Sequence, residues 1–193
     1  MHSWQNKLEQ WLDPIYFNQA TVQATKEAQE KILKSQDKLE IDKFSHELTF
    51  GTGGLRAIMD VGPNRLNIYT VRKVAQALAN YMGSKKSVVT AKVVIGFDTR
   101  NNSLAFAHQM AQVFYANNIE CLVFENFVTT PVLSFAITEL SASIGVMITA
   151  SHNPKEYNGI KVYNRTGGQV VPPEDEEIIN CYQKISAWGE VKF

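Results

Sequence analysis

Ser151, His152, Asn153 and Lys155 stand together in the stretch Ala150-Ser151-His152-Asn153-Pro154-Lys155-Glu156-Tyr157-Asn158-Gly159, with Lys161 ten positions beyond the serine. A serine on a loop that follows a strand can act as a nucleophile. It can equally turn the chain, because Ser and Asn-Pro are turn formers, and by loop chemistry alone the turn is the stronger reading. The crowding of Ser, His, Asn and Lys into one loop and the strand after it raises the functional reading. Acyl transfer fits poorly: neither glycine of a G-x-S-x-G elbow flanks Ser151, and His152, adjacent in sequence, is badly placed to be the base of a triad. Phosphoryl transfer fits better, since it asks for cations and oriented donors rather than a triad. Lys161 and Arg56 are candidates for those cations.

Arg56 closes a second unusual segment, Phe50-Gly51-Thr52-Gly53-Gly54-Leu55-Arg56. Its three glycines in four positions allow close backbone approach, and the guanidinium fork suits phosphate. The segment has neither the Gly-Lys-Ser/Thr of a Walker loop nor a G-x-G-x-x-G turn. A plain turn with Arg56 paired to a carboxylate explains it about as well. A third segment, Gly96-Phe97-Asp98-Thr99-Arg100-Asn101-Asn102-Ser103, puts an Asp and an Arg at a strand end. There a buried contact between Asp98 and Arg100 that shapes the loop is the preferred reading.

The elements that must position these residues follow α/β grammar. From Phe50 onward apolar runs alternate with amphipathic segments separated by turn residues. Strands are expected near 55–60, 92–97, 120–124, 144–149 and 159–163, and helices over about 70–81, 104–117, 131–140 and 173–185. Thr70, Thr130 and Pro131 are helix-start signals. The acidic run Glu174-Asp175-Glu176-Glu177 sits where the dipole of a helix start favours it, a role that outweighs metal binding. The runs at 92–97 and 143–148 are continuous rather than alternating, as strands covered on both faces should be. A three-layer α/β/α domain with a mostly parallel, mixed sheet is therefore expected. Ligands in such sheets gather beyond the carboxyl ends of the strands, which points to 98–103, 126–131 and 150–155.

The first 45 residues differ: they contain no Gly, only Pro14, and five charges of each sign between Lys26 and Lys43. Apolar stripes at helical spacing, Trp4, Leu8, Trp11 and Leu12 and then Ala28, Ile32, Leu33 and Leu39, predict an N-terminal helical extension. Its apolar side packs on a neighbouring surface and its charge run is a solvated face.

Composition bounds the function from outside. With 193 residues, 45% hydrophobic and 20% charged, the chain is globular, one core plus an appendage, and not a disordered or low-complexity segment. The 19 basic residues balance 19 acidic ones, so no net field attracts nucleic acid or an anionic membrane, and any anion must be bound by local geometry. Cys121 and Cys181 lie 60 positions apart without CxxC spacing, which suggests neither a zinc site nor a disulfide framework; both are expected to be reduced and inert. No apolar leader and no run of 18 apolar residues is present, so a cytoplasmic location is expected.

In this order and spacing, Phe50 to Arg56, Gly96 to Ser103, Thr129-Thr130-Pro131, Thr149 to Pro154 and Tyr157 to Tyr163 resemble the first domain of the α-D-phosphohexomutase family of phosphoglucomutases and phosphomannomutases. The similarity covers about 48–185. The helical lead-in, Arg65-Leu66-Asn67 and the stretch 164–173 look most like a longer bacterial branch that also resembles phosphopentomutases and glucose 1,6-bisphosphate synthases. The resemblance implies a reversible mutase acting on a sugar phosphate. Ser151, carried as phosphoserine, would be donor and acceptor through a bisphosphate intermediate. It implies His152 as a hydrogen-bonding partner, Lys161 in proton transfer or charge stabilisation, Arg56 beside them, and support from Thr52, Gly53, Asn153, Asp98 and Arg100. Mg2+ would be held through the phosphate of Ser151 and mainly by a domain beyond this chain, with glucose 1,6-bisphosphate as activator. One departure is Ala57, where the family often has Gly.

The organisation so implied is a helical extension over 1–45, a phosphoserine-bearing domain over 46–185 and the start of a linker over 186–193. No D-x-D-x-D cluster occurs before Phe193. The chain is therefore expected to be an N-terminal piece that works with the remaining domains of the same polypeptide and has little or no mutase activity alone. Phosphopentomutase or glucose 1,6-bisphosphate synthase activity is one alternative. A noncatalytic sugar-phosphate-binding module and a nucleotide-binding doubly wound domain are the others.

Overall fold

The computed structural model describes residues 3–51, 53–85 and 91–193. The two continuous apolar runs form its centre. β2 (Lys92–Phe97) and β4 (Ile144–Ile148) pair in parallel, and β4 is buried along its whole length. β3 (Glu120–Val123) adds in parallel on the far side of β2. Parallel neighbours need a crossover of a dozen or more residues; residues 149–156 are too few, so β5 (Tyr157–Asn164) returns antiparallel beside β4. β1 (Gly54–Ile58) pairs antiparallel with β5 and completes the order β1-β5-β4-β2-β3. The sheet is thus mixed, with β5 alone reversed, and the connection between β4 and β5 is the loop that carries Ser151.

Strand alternation divides the buried side chains between two helical layers. α4 (Ile68–Ser84), α5 (Ser103–Ala116) and α7 (Glu174–Lys184) cover the face that buries Val93, Ile95, Val146, Ile148, Ile160 and Val162. α6 (Thr130–Glu139) covers the other, packing Leu133 and Ile137 against Val94, Met147 and Tyr163. Gly145 lets α6 come close, since a Cβ there would fall 2.1 Å from Ile137 Cδ1. The expected three layers are present.

Helix starts follow the chemistry of capping with one correction. α4 begins at Ile68 rather than near Thr70, because Asn67 is the cap: its side chain accepts from the N–H groups of Tyr69 and Thr70, and the Thr70 hydroxyl accepts from the Asn67 N–H. Asn is the stronger cap, and Thr70 is its partner in the box. Pro131 lies in the first turn of α6, and Glu174 to Glu177 form the first turn of α7.

The first 45 residues form α1 (Ser3–Gln10), α2 (Gln19–Ser35) and α3 (Lys38–Ser45). They bury Leu8, Trp11, Phe17, Ala28, Ile32 and Phe44 in a core of their own, closed by Tyr69 of α4. Trp188 meets Trp11 and Phe17 edge-on at 5.6 and 5.4 Å, while Val191 is buried in the main core. Two expected stripe residues fall outside: Leu33 and Leu39 are 73% and 75% exposed. The buried line of α2 runs through Thr25, Ala28 and Ile32. Leu33 stands one residue, about 100° of helix, to its side. Ion pairs from Lys43 to Asp60 (2.7 Å) and from Arg65 to Asp42 (2.9 Å) tie α3 to the segment between β1 and α4. Among the described residues no helix is long and apolar enough to cross a membrane.

Both cysteines are free thiols. Burial pushes the Cys121 thiol up from 9.0 to about 12. An unfolded chain loses this proton first, so the stability it supports is full below about pH 9 and falls as the pH rises toward 12, by about 1 kcal/mol at pH 10. Cys121→Ala should therefore shrink the drop in denaturation free energy between about pH 8 and about pH 10 by that amount. An unchanged drop would contradict it.

Candidate active site

Ser151 sits on the tip of the hairpin between β4 and β5, with its backbone in the left-handed region at φ +58°. Few residues other than glycine adopt this conformation, and it persists where surroundings enforce it. Two features enforce it here. The Ser151 N–H donates to Thr149 Oγ1 at 2.9 Å, and the loop closes around a half-buried cation.

That cation is Arg100, from the turn after β2. Its Nη2 donates to the carbonyls of Ser151 (2.8 Å) and Asn153 (2.6 Å), and its Nη1 to those of Pro154 (3.0 Å) and Tyr157 (3.1 Å). Its Nε lies 3.5 Å from Asp98 Oδ2, and its backbone N–H donates to Asp98 Oδ1 at 3.0 Å. A guanidinium has five N–H donors. Four carbonyls engage the two Nη groups and Asp98 faces Nε as an ion pair, so this charge is committed to the loop backbone and Asp98. The expected Asp98 to Arg100 contact exists, and the guanidinium's larger task is the serine loop.

The support continues inward. Asp98 Oδ1 also accepts from Ser103 Oγ at 2.8 Å, and Asn158 Nδ2 donates to Ser103 Oγ at 2.9 Å and to the Asn101 carbonyl at 3.0 Å. Ser103 and Asn158 are 1% and 0% exposed, and buried polar groups of this kind are satisfied or costly. Thr149, Ser103 and Asn158 are not among the residues that the sequence marks as functional. Their one signal is position, at a strand end or a helix start.

Arg56 comes from edge strand β1, in register with Gly159 of β5. It is exposed, and its Nη1 donates to Asn153 Oδ1 at 3.2 Å. No carboxylate pairs with it among the described residues, which removes the reading of Arg56 as half of an ion pair. Gly159 makes the crossing feasible, since a Cβ there would lie 2.9 Å from Arg56 Cγ. Lys161 follows two residues later on the same face; it is half-buried, and its side chain makes no hydrogen bond or ion pair with the described residues. His152 is exposed, its Nδ1 3.4 Å from Ser151 Oγ, which is at the limit of a hydrogen bond.

The glycine segment shapes the entry to β1. Gly51 and Gly54 exchange two backbone hydrogen bonds of 2.8 and 3.0 Å, and the Gly53 carbonyl accepts from the Val162 N–H at 3.0 Å. Gly53 has φ +76°, and a Cβ there would meet Gln169 Nε2 at 1.9 Å. Thr52 lies outside the described residues. The structure thus gathers Ser151, His152, Asn153, Arg56, Asp98 and Arg100 in one place. Lys161 of β5 is in register with Gly54, two residues along from the pair of Arg56 and Gly159, and Gly53 sits beyond Gly54 with its carbonyl on the Val162 N–H.

The one carboxylate gathered with Ser151, Asp98, is tied to Arg100 and Ser103, and among the described residues no group of three or more His, Cys, Asp or Glu could hold a metal ion. Hard divalent cations take oxygen ligands, so this set of donors does not fit Mg2+ by itself. It fits an anion.

Residues 47–188 match the family model of phosphoglucomutase/phosphomannomutase, alpha/beta/alpha domain I. The chain is 50% identical over 142 residues to a phosphoglucomutase of Staphylococcus saprophyticus, covering 74% of this chain and 25% of that protein. It is 36% identical over 182 residues to a probable phosphoribomutase of Schizosaccharomyces pombe, covering 90% and 31%. A solved structure from Thermus thermophilus, described as a phosphomannomutase, superposes with a TM-score of 0.65 at 31% identity, over 71% of this chain and 30% of that one. The chain spans about a quarter to a third of the length of these relatives.

Proposed function

Because the chain belongs to the phosphoglucomutase/phosphomannomutase family, whose α/β/α domain I it carries, we propose that it bears the phosphoserine site of a cytoplasmic phosphosugar mutase. The phosphate rests on Ser151. A hydroxyl of a hexose monophosphate attacks it, the bond from phosphorus to Ser151 Oγ breaks, and a sugar bisphosphate forms. The bisphosphate turns round and returns its other phosphate to Ser151 Oγ, so that phosphate has moved between the 1 and 6 positions of the sugar. Glucose 1,6-bisphosphate keeps Ser151 charged as the activator. A phosphorylated serine carries nearly two negative charges. Arg56 and Lys161 offset them, and Lys161 also serves proton exchange at the sugar hydroxyl. His152 hydrogen-bonds beside Ser151 and is not the base.

The observation that carries this reading is the exposed Ser151, locked at φ +58° on a loop that Arg100 grips by four carbonyls, with Arg56 held on Asn153 and facing no carboxylate among the described residues. The chain spans about a quarter of the length of the Staphylococcus saprophyticus relative; sugar contacts and Mg2+ ligation are assigned in this proposal to further domains. A pentose phosphate is the second substrate class: the match to the probable phosphoribomutase covers 182 residues and so reaches beyond 47–188 into the helical extension.

In the protein isolated from its own cells, mass spectrometry of the peptide containing Ser151 should find phosphate on that residue, and exposure to a hexose monophosphate should discharge it. A peptide that is never phosphorylated, in a protein that still binds sugar phosphate, would make the chain a binding module.

A further inference from the structure

Resting on the phosphoserine reading and deepening it, we propose that the backbone N–H groups of His152 and Lys155 form an anion nest for the oxygens of the phosphoryl group on Ser151. The argument begins with peptide geometry. In a trans peptide the C=O and the following N–H point in opposite directions, and among the described residues the one cis bond is Pro172-Pro173. The Ser151 and Pro154 carbonyls point at Arg100, at 2.8 and 3.0 Å. The N–H groups of His152 and Lys155 share those two peptide planes and must point away from Arg100.

Away from Arg100 is toward solvent. The Arg100 side chain is only 15% exposed, whereas Ser151, His152 and Lys155 are all exposed. The loop therefore has an inner side of carbonyls on a half-buried cation and an outer side of amides. The other two gripped carbonyls add nothing outside: Asn153 is followed by Pro154, which has no N–H, and Tyr157 by the buried Asn158.

Three other amides of the loop are engaged, and that of Glu156, whose preceding carbonyl Arg100 does not grip, is not turned outward by it. The Ser151 N–H goes to Thr149 Oγ1, that of Asn153 to the Ala150 carbonyl and that of Tyr157 to the Pro154 carbonyl. The amides of His152 and Lys155 have no acceptor among the described residues. Convergent backbone N–H groups bind anions, and donors fixed before charge develops stabilise it without reorganisation. Arg100 would thus serve transfer as a positioning residue, turning the peptide planes outward while its own donors stay occupied.

The test is amide NMR on the full chain made with phosphoserine incorporated at position 151, against the unmodified chain. Downfield shifts and slowed solvent exchange of the His152 and Lys155 N–H resonances, retained in Lys155→Ala, support the nest and exclude a side-chain effect. Arg100→Lys in the phosphoserine chain should lose both shifts. Phosphorylation that leaves the two amides in fast exchange overturns the nest and leaves the phosphoserine reading standing. Native protein that carries no phosphate on Ser151 removes the parent reading, and the nest with it.

Discussion

Ser151→Ala is expected to abolish interconversion of sugar phosphates by the full enzyme, on the order of 10^4-fold or more, as removal of a covalent nucleophile does. The loss falls on chemistry and not on folding. Alanine keeps the backbone and pays a left-handed cost similar to that of serine, and the hydroxyl removed is exposed and makes one long contact, to His152 at 3.4 Å. The denaturation midpoint should therefore stay within the range of a neutral surface change, about 0.5 kcal/mol. Turnover assays with glucose 1-phosphate and labelled bisphosphate, run beside thermal unfolding, separate the two. Normal turnover in a folded Ser151→Ala protein would reject Ser151 as the phosphate carrier.

Arg100→Lys should have the second-largest effect although the charge is kept. Lysine places a point charge on a flexible stem and cannot span four carbonyls and Asp98 at once. Hydrogen bonds to a charged group contribute about 1.5–3 kcal/mol each when removed singly. Stability should drop by about 2 kcal/mol or more. The informative readout is the rate per folded molecule: a loop that drifts by 1 Å costs about 10^2-fold in rate, so kcat should fall far more than KM rises. A variant that is less stable but turns over at the native rate once folded would show that Arg100 merely braces the sheet.

Sequence and structure agree most closely where a single segment holds the whole signal. The runs at 92–97 and 144–148 are apolar on both faces, and their burial in β2 and β4 follows from that alone. The crowding of Ser151, His152 and Asn153 is likewise local, and Arg56 next to a glycine bend is a chemical signal by itself. Leu33 illustrates the opposite: its type is right for a core, but phase against Ala28 and Ile32 decides its fate. Arg100 is legible as the partner of Asp98, but its grip on the serine loop is not. The carbonyls it grips lie 51 to 57 residues away in sequence, joined by sheet order rather than spacing. The same holds for Ser103 and Asn158, 55 residues apart and yet hydrogen-bonded. The left-handed Ser151 has no residue-type signal at all, since serine does not favour positive φ; it is imposed by its neighbours.

The reversal of β5 has a mechanical meaning. The serine loop leaves the fully buried β4 and enters β5, which is paired on both sides; both of its roots are stitched into the sheet, and Arg100 pins its middle. A reaction that brings one phosphate carrier to two different hydroxyls needs something to swing. On the phosphoserine reading, a carrier bolted down in this way makes the serine the pivot and leaves the sugar to rotate.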